Sequence, residues 1–379
     1  MFMRNIIFAA QYAAPYEGNF IKSLRTLAQK LEARGGYKVS YIFPEAAKRQ
    51  AWMPEFRNCN QVYFTVDDVR SSIALVQLRE IISKLNPILI HTHFDGYDLS
   101  MRKAGAQCPI VWHLHNWLSF MPNLLKAVYQ RLGFYLHYGR GSRKDIYAIS
   151  VCQEMIDFIV RFGFKRQHAV CIPNGIDLSR ITPPLSHVIH NLANKGWDKR
   201  AAYSFLAFGG RNISKRIDLF YKAGERLYKE GVTDFVCYVT IGTDTCETVK
   251  VLGGEQPWFK LIPQNDDINQ IFAQADCFVS TSTCETFSYA IAEASYYGLP
   301  IIQSDIPGTS WNRPSQTTLW FESENVEDLA RQMKRMMEVT PASLAHALQQ
   351  ASEGIQQNYS LDSWADKVIS SYNTFGIRM

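Results

Sequence analysis

Long apolar runs are missing from this chain of 379 residues. No stretch approaches about 18 consecutive apolar positions, so no membrane-spanning helix is expected. Paired cysteine motifs are missing too. Cys59, Cys108, Cys152, Cys171, Cys237, Cys246, Cys277 and Cys284 form no C-x-x-C pair and share no regular spacing. Several lie in apolar segments, where a cysteine is usually a small core residue. This speaks against a disulfide framework or a zinc site and for a reduced, cytoplasmic compartment. No Asp-x-Asp occurs, so no such carboxylate pair offers itself to a diphosphate-bound Mg²⁺. No G-x-G-x-x-G follows a strand, which argues against a dinucleotide oxidoreductase. Internal repeats and low-complexity tracts are likewise lacking. The opening segment has one arginine and a short apolar run, and reads as a buried strand rather than a signal peptide.

What is present fits two α/β domains. The length is comfortable for two, and an apolar fraction of 47% can fill two cores. Charge is unevenly spread. Residues 1–180 carry 23 Lys+Arg against 13 Asp+Glu, whereas the remainder carries 17 against 22. A basic first half suits an anionic partner: nucleic acid, an anionic membrane surface or a phosphate-bearing acceptor.

Strand and helix patterns alternate. Residues 5–10, 37–43, 88–92, 109–114 and 146–150 read as strands, with helices over 20–31, 69–85 and 153–162. A turn-rich, proline-containing segment at about 172–200 reads as a linker. Alternation then resumes, with strands at 204–208, 235–241, 259–262, 277–281 and 300–303. Helices are expected over 218–230, 268–274, 285–297 and 326–337, followed by a polar helical tail to Tyr372. Such alternation predicts parallel βαβ units covered on both faces, with ligands at the carboxyl ends of strands.

The run from Cys284 to Pro300 carries the sharpest signal. Glu285 and Glu293 stand eight positions apart; on one helix they would be separated by about 12 Å along a common flank. A helix N-terminus between them suits a phosphate. A sugar at one carboxylate, a ribose at the other and a diphosphate between describe a nucleotide sugar. A glutamate at a helix start is equally an ordinary first-turn residue. Gly209-Gly210-Arg211, with Lys215 and Arg216 close behind, ends a strand and places cations at a helix start, where an anion is wanted. Gly18 sits where the first strand meets the first helix and permits close approach of a ligand. His91 and His93 end one strand and His113 and His115 the next; neither His-x-His pair shows a third metal ligand. The stretch 117–144 interleaves Trp117, Phe120, Tyr129, Phe134, Tyr135 and Tyr138 with Lys126, Arg131, Arg140, Arg143 and Lys144. It fits a membrane-surface helix, a nucleic-acid contact or a packed helix with snorkelling cations.

In order and spacing, these segments resemble the retaining nucleotide-sugar glycosyltransferases of family 4. The resemblance runs through Ile172-Pro-Asn-Gly-Ile-Asp177, Gly210-Arg211 to Arg216, Ala275-Asp276 to Glu293, and Gly298-Leu-Pro-Ile-Ile. It implies an α/β GT-B fold: two facing, doubly wound Rossmann-like domains with an interdomain cleft. The acceptor-binding domain would span 1–175, with a helix at about 360–375 crossing back onto it. The nucleotide-sugar domain would span 176–359. It further implies Glu285 at the donor sugar and Glu293 at the ribose. The backbone of Phe287, Ser288, Tyr289 and Ala290, next to Thr286, would meet the sugar and diphosphate. Arg211 matches the phosphate-binding cation. Arg216 matches the second by spacing, with Lys215 as the alternative. Gly18 matches a diphosphate-side loop and His115, rather than His113, the histidine near the sugar. Ser288 departs from the family glycine. No cofactor or metal is expected. The expected partners are a UDP-sugar, a glycan or lipid-linked acceptor and an anionic membrane surface at 117–144, without nucleic acid. The resemblance leaves open a non-catalytic partner subunit or a GT-B sugar epimerase.

Overall fold

The computed structural model describes residues 3–56, 61–116, 124–139, 145–182, 202–265, 267–339, 341–377 and 379. The chain forms two compact units, one of residues 1–177 with 361–379 and one of residues 178–360.

The first unit is built on a parallel sheet of seven strands. These are β1 (Arg4–Ala10), β2 (Tyr37–Pro44), β3 (Val62–Thr65), β4 (Leu89–His93), β5 (Ile110–Leu114), β6 (Ile146–Ser150) and β7 (Ala169–Cys171). Their order is β3-β2-β1-β4-β5-β6-β7, so the direction of winding reverses between β1 and β4. Helices α1 (Gly18–Ala33), α2 (Ser72–Leu85), α3 (Asp98–Lys103), α4 (Leu124–Phe134) and α5 (Gln153–Arg161) connect them. The stripe Ile21, Leu24, Leu27, Ala28 and Leu31 seals α1 onto one sheet face. Ser71 caps α2 through Ala74 N, and Asn86 stops it in the left-handed conformation ahead of Pro87. The short edge strands β3 and β7 are absent from the sequence reading. They carry only four and three residues, too few for a period-2 signal.

The second unit has six parallel strands, β8 (Tyr203–Ala207), β9 (Phe235–Thr240), β10 (Phe259–Ile262), β11 (Cys277–Ser280), β12 (Ile301–Asp305) and β13 (Thr318–Glu322). Their order, β10-β9-β8-β11-β12-β13, reverses between β8 and β11. Its helices are α6 (Asn212–Lys215), α7 (Ile217–Lys229), α8 (Thr245–Val251), α9 (Ile268–Phe272), α10 (Tyr289–Tyr297), α11 (Val326–Glu338) and α12 (Pro341–Tyr359). Strand β13 also escaped the sequence reading. The last helix, α13 (Leu361–Thr374), belongs to the first unit, where Trp364, Val368, Ile369 and Tyr372 join the core under α1.

The expected helix over 285–297 is corrected at its start. Helix α10 opens at Tyr289, so Glu285 lies in the preceding loop and not on the helical flank it was expected to share with Glu293. The part of the expected linker at 183–200 lies outside the described residues.

Candidate functional site

In doubly wound sheets, ligands bind beyond the carboxyl ends of the strands where winding reverses. In the second unit that place lies beyond β8 and β11. The loop after β8 is Phe208-Gly209-Gly210-Arg211. Its glycines serve protein packing first. A Cβ on Gly209 would lie 1.9 Å from Thr240 O, and one on Gly242 would lie 2.4 Å from Gly210 N. The loops after β8 and β9 therefore lie against each other, held by bonds such as Gly209 N to Thr240 Oγ1 at 2.9 Å. Arg211 caps the short helix α6 and is exposed, and its guanidinium has no carboxylate partner among the described residues.

The loop after β11 is tied to that helix. Thr281 Oγ1 donates to Lys215 O at 2.7 Å, and Thr283 N donates to Ser214 O at 3.0 Å. These bonds hold Lys215 opposite Glu285, and Lys215 Nζ reaches Glu285 Oε1 at 2.7 Å. The two cations that sequence spacing left competing are thereby separated. Arg216 adopts a left-handed conformation, φ 47°, at the joint between α6 and α7. Its guanidinium turns to Asp218, at 2.9 and 3.1 Å, and to Glu324. Spacing favoured Arg216 for the second phosphate cation; geometry puts Lys215 at Glu285 instead.

Gly308 was missed by sequence reasoning. It sits in the 3₁₀ turn Pro307–Asn312 after β12, and a Cβ there would fall 1.6 Å from Glu285 O. The backbone of Glu285 and Thr286 thus rests directly on this glycine. Its neighbours, Pro307-Gly308-Thr309, look like any surface turn, so only the fold could reveal the contact.

Phe287 is buried among Trp311, Tyr359 and Tyr289, which anchors the loop from beneath. Ser288 is buried as well and caps α10 without a side-chain bond. The following turn begins with Tyr289 and Ala290, both half-buried. Glu293, one turn further, is 3% exposed and paired with Arg180. Arg180 was also missed. It follows the Ile172–Asp177 motif in a turn whose local pattern carries no such signal.

In the first unit, the corresponding place lies beyond β1 and β4. Gly18 opens α1 at φ 58°, where a side chain would be strained although space exists. Asn19 Oδ1 accepts from Asp177 N at 2.8 Å, and Lys22 Nζ reaches Asp177 Oδ2 at 2.5 Å. The Ile172–Asp177 motif is thus fastened to the start of α1. Gly175 leaves room for Trp364, whose Cβ would lie 2.7 Å from an added methyl.

The register of β4 and β5 brings four histidines together on the face covered by α1 and α13. His91, His93 and His113 are fully buried, while His115 keeps some exposed surface. His91 Nε2 meets His113 Nδ1 at 3.2 Å, and His93 Nδ1 meets His115 Nε2 at 3.1 Å. Tyr372 OH reaches His91 Nδ1 at 2.7 Å. Pairing of the strands brings the two His-x-His pairs together, and ring nitrogens of His91, His93 and His113 lie within 4.8 Å of one another. Burial holds all four imidazoles below their ordinary range. For His115 the value is about 4, with a hydrogen bond donated by the ring to the Asn174 side chain opposing the burial.

Residues 117–123 and 140–144 of the aromatic–basic stretch, with Trp117, Phe120, Arg140, Arg143 and Lys144, lie outside the described residues. In the described part, Val128, Tyr129, Leu132, Tyr135 and Leu136 are exposed on α4 and the π-helical turn Tyr135–Gly139. A cavity of about 820 Å³ adjoins them, lined by Arg70, Lys103, Lys126, Tyr129 and Phe134 among others. No helix among the described residues is long and apolar enough to cross a membrane.

Residues 22–180 match the model of Glycosyltransferase Family 4, and residues 203–339 that of Glycosyl transferases group 1. No curated protein matches the chain. Among solved structures, a glycosyltransferase from Rickettsia africae is 17% identical, with 98% of each chain covered and a TM-score of 0.75. Anabaena Alr3699/HepE, solved in complex with UDP and glucose, is also 17% identical, over 97% of this chain and 99% of that one, at 0.71. Sucrose-phosphate synthase from Thermosynechococcus elongatus is 15% identical, over 98% and 99%, at 0.74. These likenesses are to the GT-B fold, and the two family matches lie consecutively along most of the chain. The chain belongs to the GT-B glycosyltransferases of family 4, group 1 type.

Proposed function

We propose that this protein is a retaining glycosyltransferase that moves a hexosyl or N-acetylhexosaminyl group from a UDP-sugar to a glycan or lipid-linked acceptor. The observation that carries the reading is the Lys215–Glu285 pair beyond the switch point of the second sheet, with Arg211 capping the same short helix. Glu285 would hold the sugar hydroxyls and Glu293 the ribose. Arg211, Lys215 and the first turn of α10 would stabilise the departing diphosphate, where negative charge develops. That phosphate would accept the proton of the attacking hydroxyl on the face it leaves. The anomeric configuration is then kept without a protein nucleophile. His115 would orient the sugar. No metal is required in this scheme, because cationic side chains and backbone N–H groups take its role.

Support for a donor of this kind comes from Anabaena Alr3699/HepE, a protein of the same fold solved with UDP-glucose. The discriminating experiment is proton NMR of the products. A transferase yields UDP and a glycoside with the donor's anomeric configuration. An inverted product overturns retention, and a UDP-sugar changed only at one carbinol centre identifies an epimerase. A folded chain that binds donor without turnover identifies a partner subunit.

The acceptor side rests on the exposed apolar face of α4 and its basic flanks. Tyr129 is 80% exposed, and Val128, Leu132, Tyr135 and Leu136 recur at helical spacing along the same surface. A packed helix with snorkelling cations would have buried that face. It suits an anionic bilayer, on the cytoplasmic side, with the neighbouring basic and aromatic cavity facing a phosphorylated lipid head. Flotation with phosphatidylglycerol vesicles should retain the protein at low salt and lose it at high salt. No retention at low salt removes the membrane from the proposal.

A further inference from the structure

The four histidines carried by β4, β5 and the residue just after β5 form two hydrogen-bonded chains rather than a metal cage. The ring planes of His91 and His113 differ by 5°, and their centres lie 5.3 Å apart. Their facing nitrogens are 3.2 Å apart, so the difference is about two ring radii, and the rings meet edge to edge in one plane. His93 and His115 also meet edge to edge, with their planes tilted by 23°, centres 5.4 Å and facing nitrogens 3.1 Å apart. The two chains stack, His91 on His93 and His113 on His115, each at 4.4 Å. A tetrahedral zinc holds its nitrogens about 3.3 Å apart with their lone pairs converging on the metal, whereas here the paired nitrogens point at each other. The observed gaps are those of N–H···N hydrogen bonds.

Each such contact holds one proton, and the orphaned atoms say where it sits. His93 Nε2 and His113 Nε2 are buried without a partner among the described residues. A buried orphan donor is rarer than a buried orphan acceptor. The protons therefore belong on Nδ1 of His93 and of His113, where a neighbouring ring receives them.

We propose that His93 is the positioning residue for His115: its Nδ1–H donates to His115 Nε2 and fixes His115 as the Nδ1–H tautomer, a neutral donor. This rests on the placement of His115 beside the sugar. Asn174, in the Ile172–Asp177 motif, bonds the same ring in the sense that favours its protonated form, as a carbonyl accepting from it would. His115 Nδ1–H then goes to Asn174, so a sugar hydroxyl oxygen would share or take over this N–H, and neither ring nitrogen serves as a base. Phe94 closes one side of the ring, with centres 4.9 Å apart, and holds a left-handed φ of 64° to do so.

The test is nitrogen-15 NMR of the full chain labelled at histidine, with the His115 signals assigned through a His115→Gln variant. Wild type should show a protonated Nδ1 and a bare Nε2 at His115. His93→Leu should mix the tautomers and lower kcat on the order of 10²-fold with KM little changed, as for loss of one preorganised donor. His93→Gln, whose amide N–H can donate to the same nitrogen, should restore both. A protonated Nε2 in wild type, or a tautomer unmoved in His93→Leu, overturns the proposal. So does one equivalent of zinc per chain by elemental analysis. The tautomer is read without substrate, so failure to turn over any nucleotide sugar would count against the transferase reading alone.

Discussion

Both sheets reverse their winding next to a central strand, yet the ends of those strands carry opposite chemistry. Beyond β8 and β11 stand charged groups, Arg211, Lys215 and Glu285, with Glu293 and Arg180 one helical turn away. At β4 and β5 stand four imidazoles held neutral by burial, His91, His93 and His113 within the strands and His115 just past β5. One topology therefore prepares two kinds of site. The charged end can compensate a diphosphate. The neutral end can only exchange hydrogen bonds, which suits sugar hydroxyls. The fold sets the place of a site, and the residues at strand ends set its chemistry.

The largest effect should come from the charged end. Glu285→Ala is expected to lower turnover roughly 10²–10³-fold with folding intact, as for removal of one preorganised polar contact. Nucleoside diphosphate release checks this, and unchanged turnover would make the charged end ordinary surface. Gly308→Ala attacks the same loop from beneath. Its Cβ would overlap Glu285 O, so a loss of about 1–3 kcal/mol in urea unfolding is expected, together with activity. Unchanged stability would mean that the loop does not need the glycine.

The neutral end predicts a pH dependence. Its imidazoles have folded pKa values below the unfolded value near 6.5, so the unfolded chain binds more protons as pH falls below that value. Stability should be fully present above about pH 6.5 and decline toward pH 4, by about 1.4 kcal/mol per pH unit for each imidazole involved. Urea midpoints at pH 7.5 and 5.5 measure it. A flat profile would show that the histidines are not held neutral. The smallest effect separates adjacent cations. Lys215→Met should weaken UDP binding by about tenfold or less, whereas Arg216→Met should change stability by about 0–1 kcal/mol and leave binding alone. The reverse pattern would restore Arg216 to the phosphate.

Much of this was legible in the sequence because its carriers are local. Buried central strands such as β1 and β6 announce themselves as apolar runs, and α1 by its stripe. Glu285, Glu293, Arg211 and His115 stand out by motif. What stayed hidden depends on contacts distant in sequence. The short strands β3, β7 and β13 acquire identity only by pairing. The helix pattern of 285–297 gave no sign that Glu285 belongs to a loop, because that loop is shaped by Gly308 and by the aromatic bed under Phe287. Arg180 reaches Glu293 across 113 positions, and the histidine chains exist only in the register of β4 against β5. Residue types were readable, but their partners were not.

The proposed donor site is the set of charged strand ends of the second unit, which would hold a nucleotide sugar. Thermal unfolding against a panel of nucleotide sugars tests it most directly, because a ligand at a hundredfold its Kd stabilises the folded chain by about 2.7 kcal/mol. A UDP-sugar should raise the midpoint of wild type, and Glu285→Ala should sharply reduce this rise. A wild-type midpoint unmoved by every nucleotide sugar, or moved equally in the variant, would contradict it.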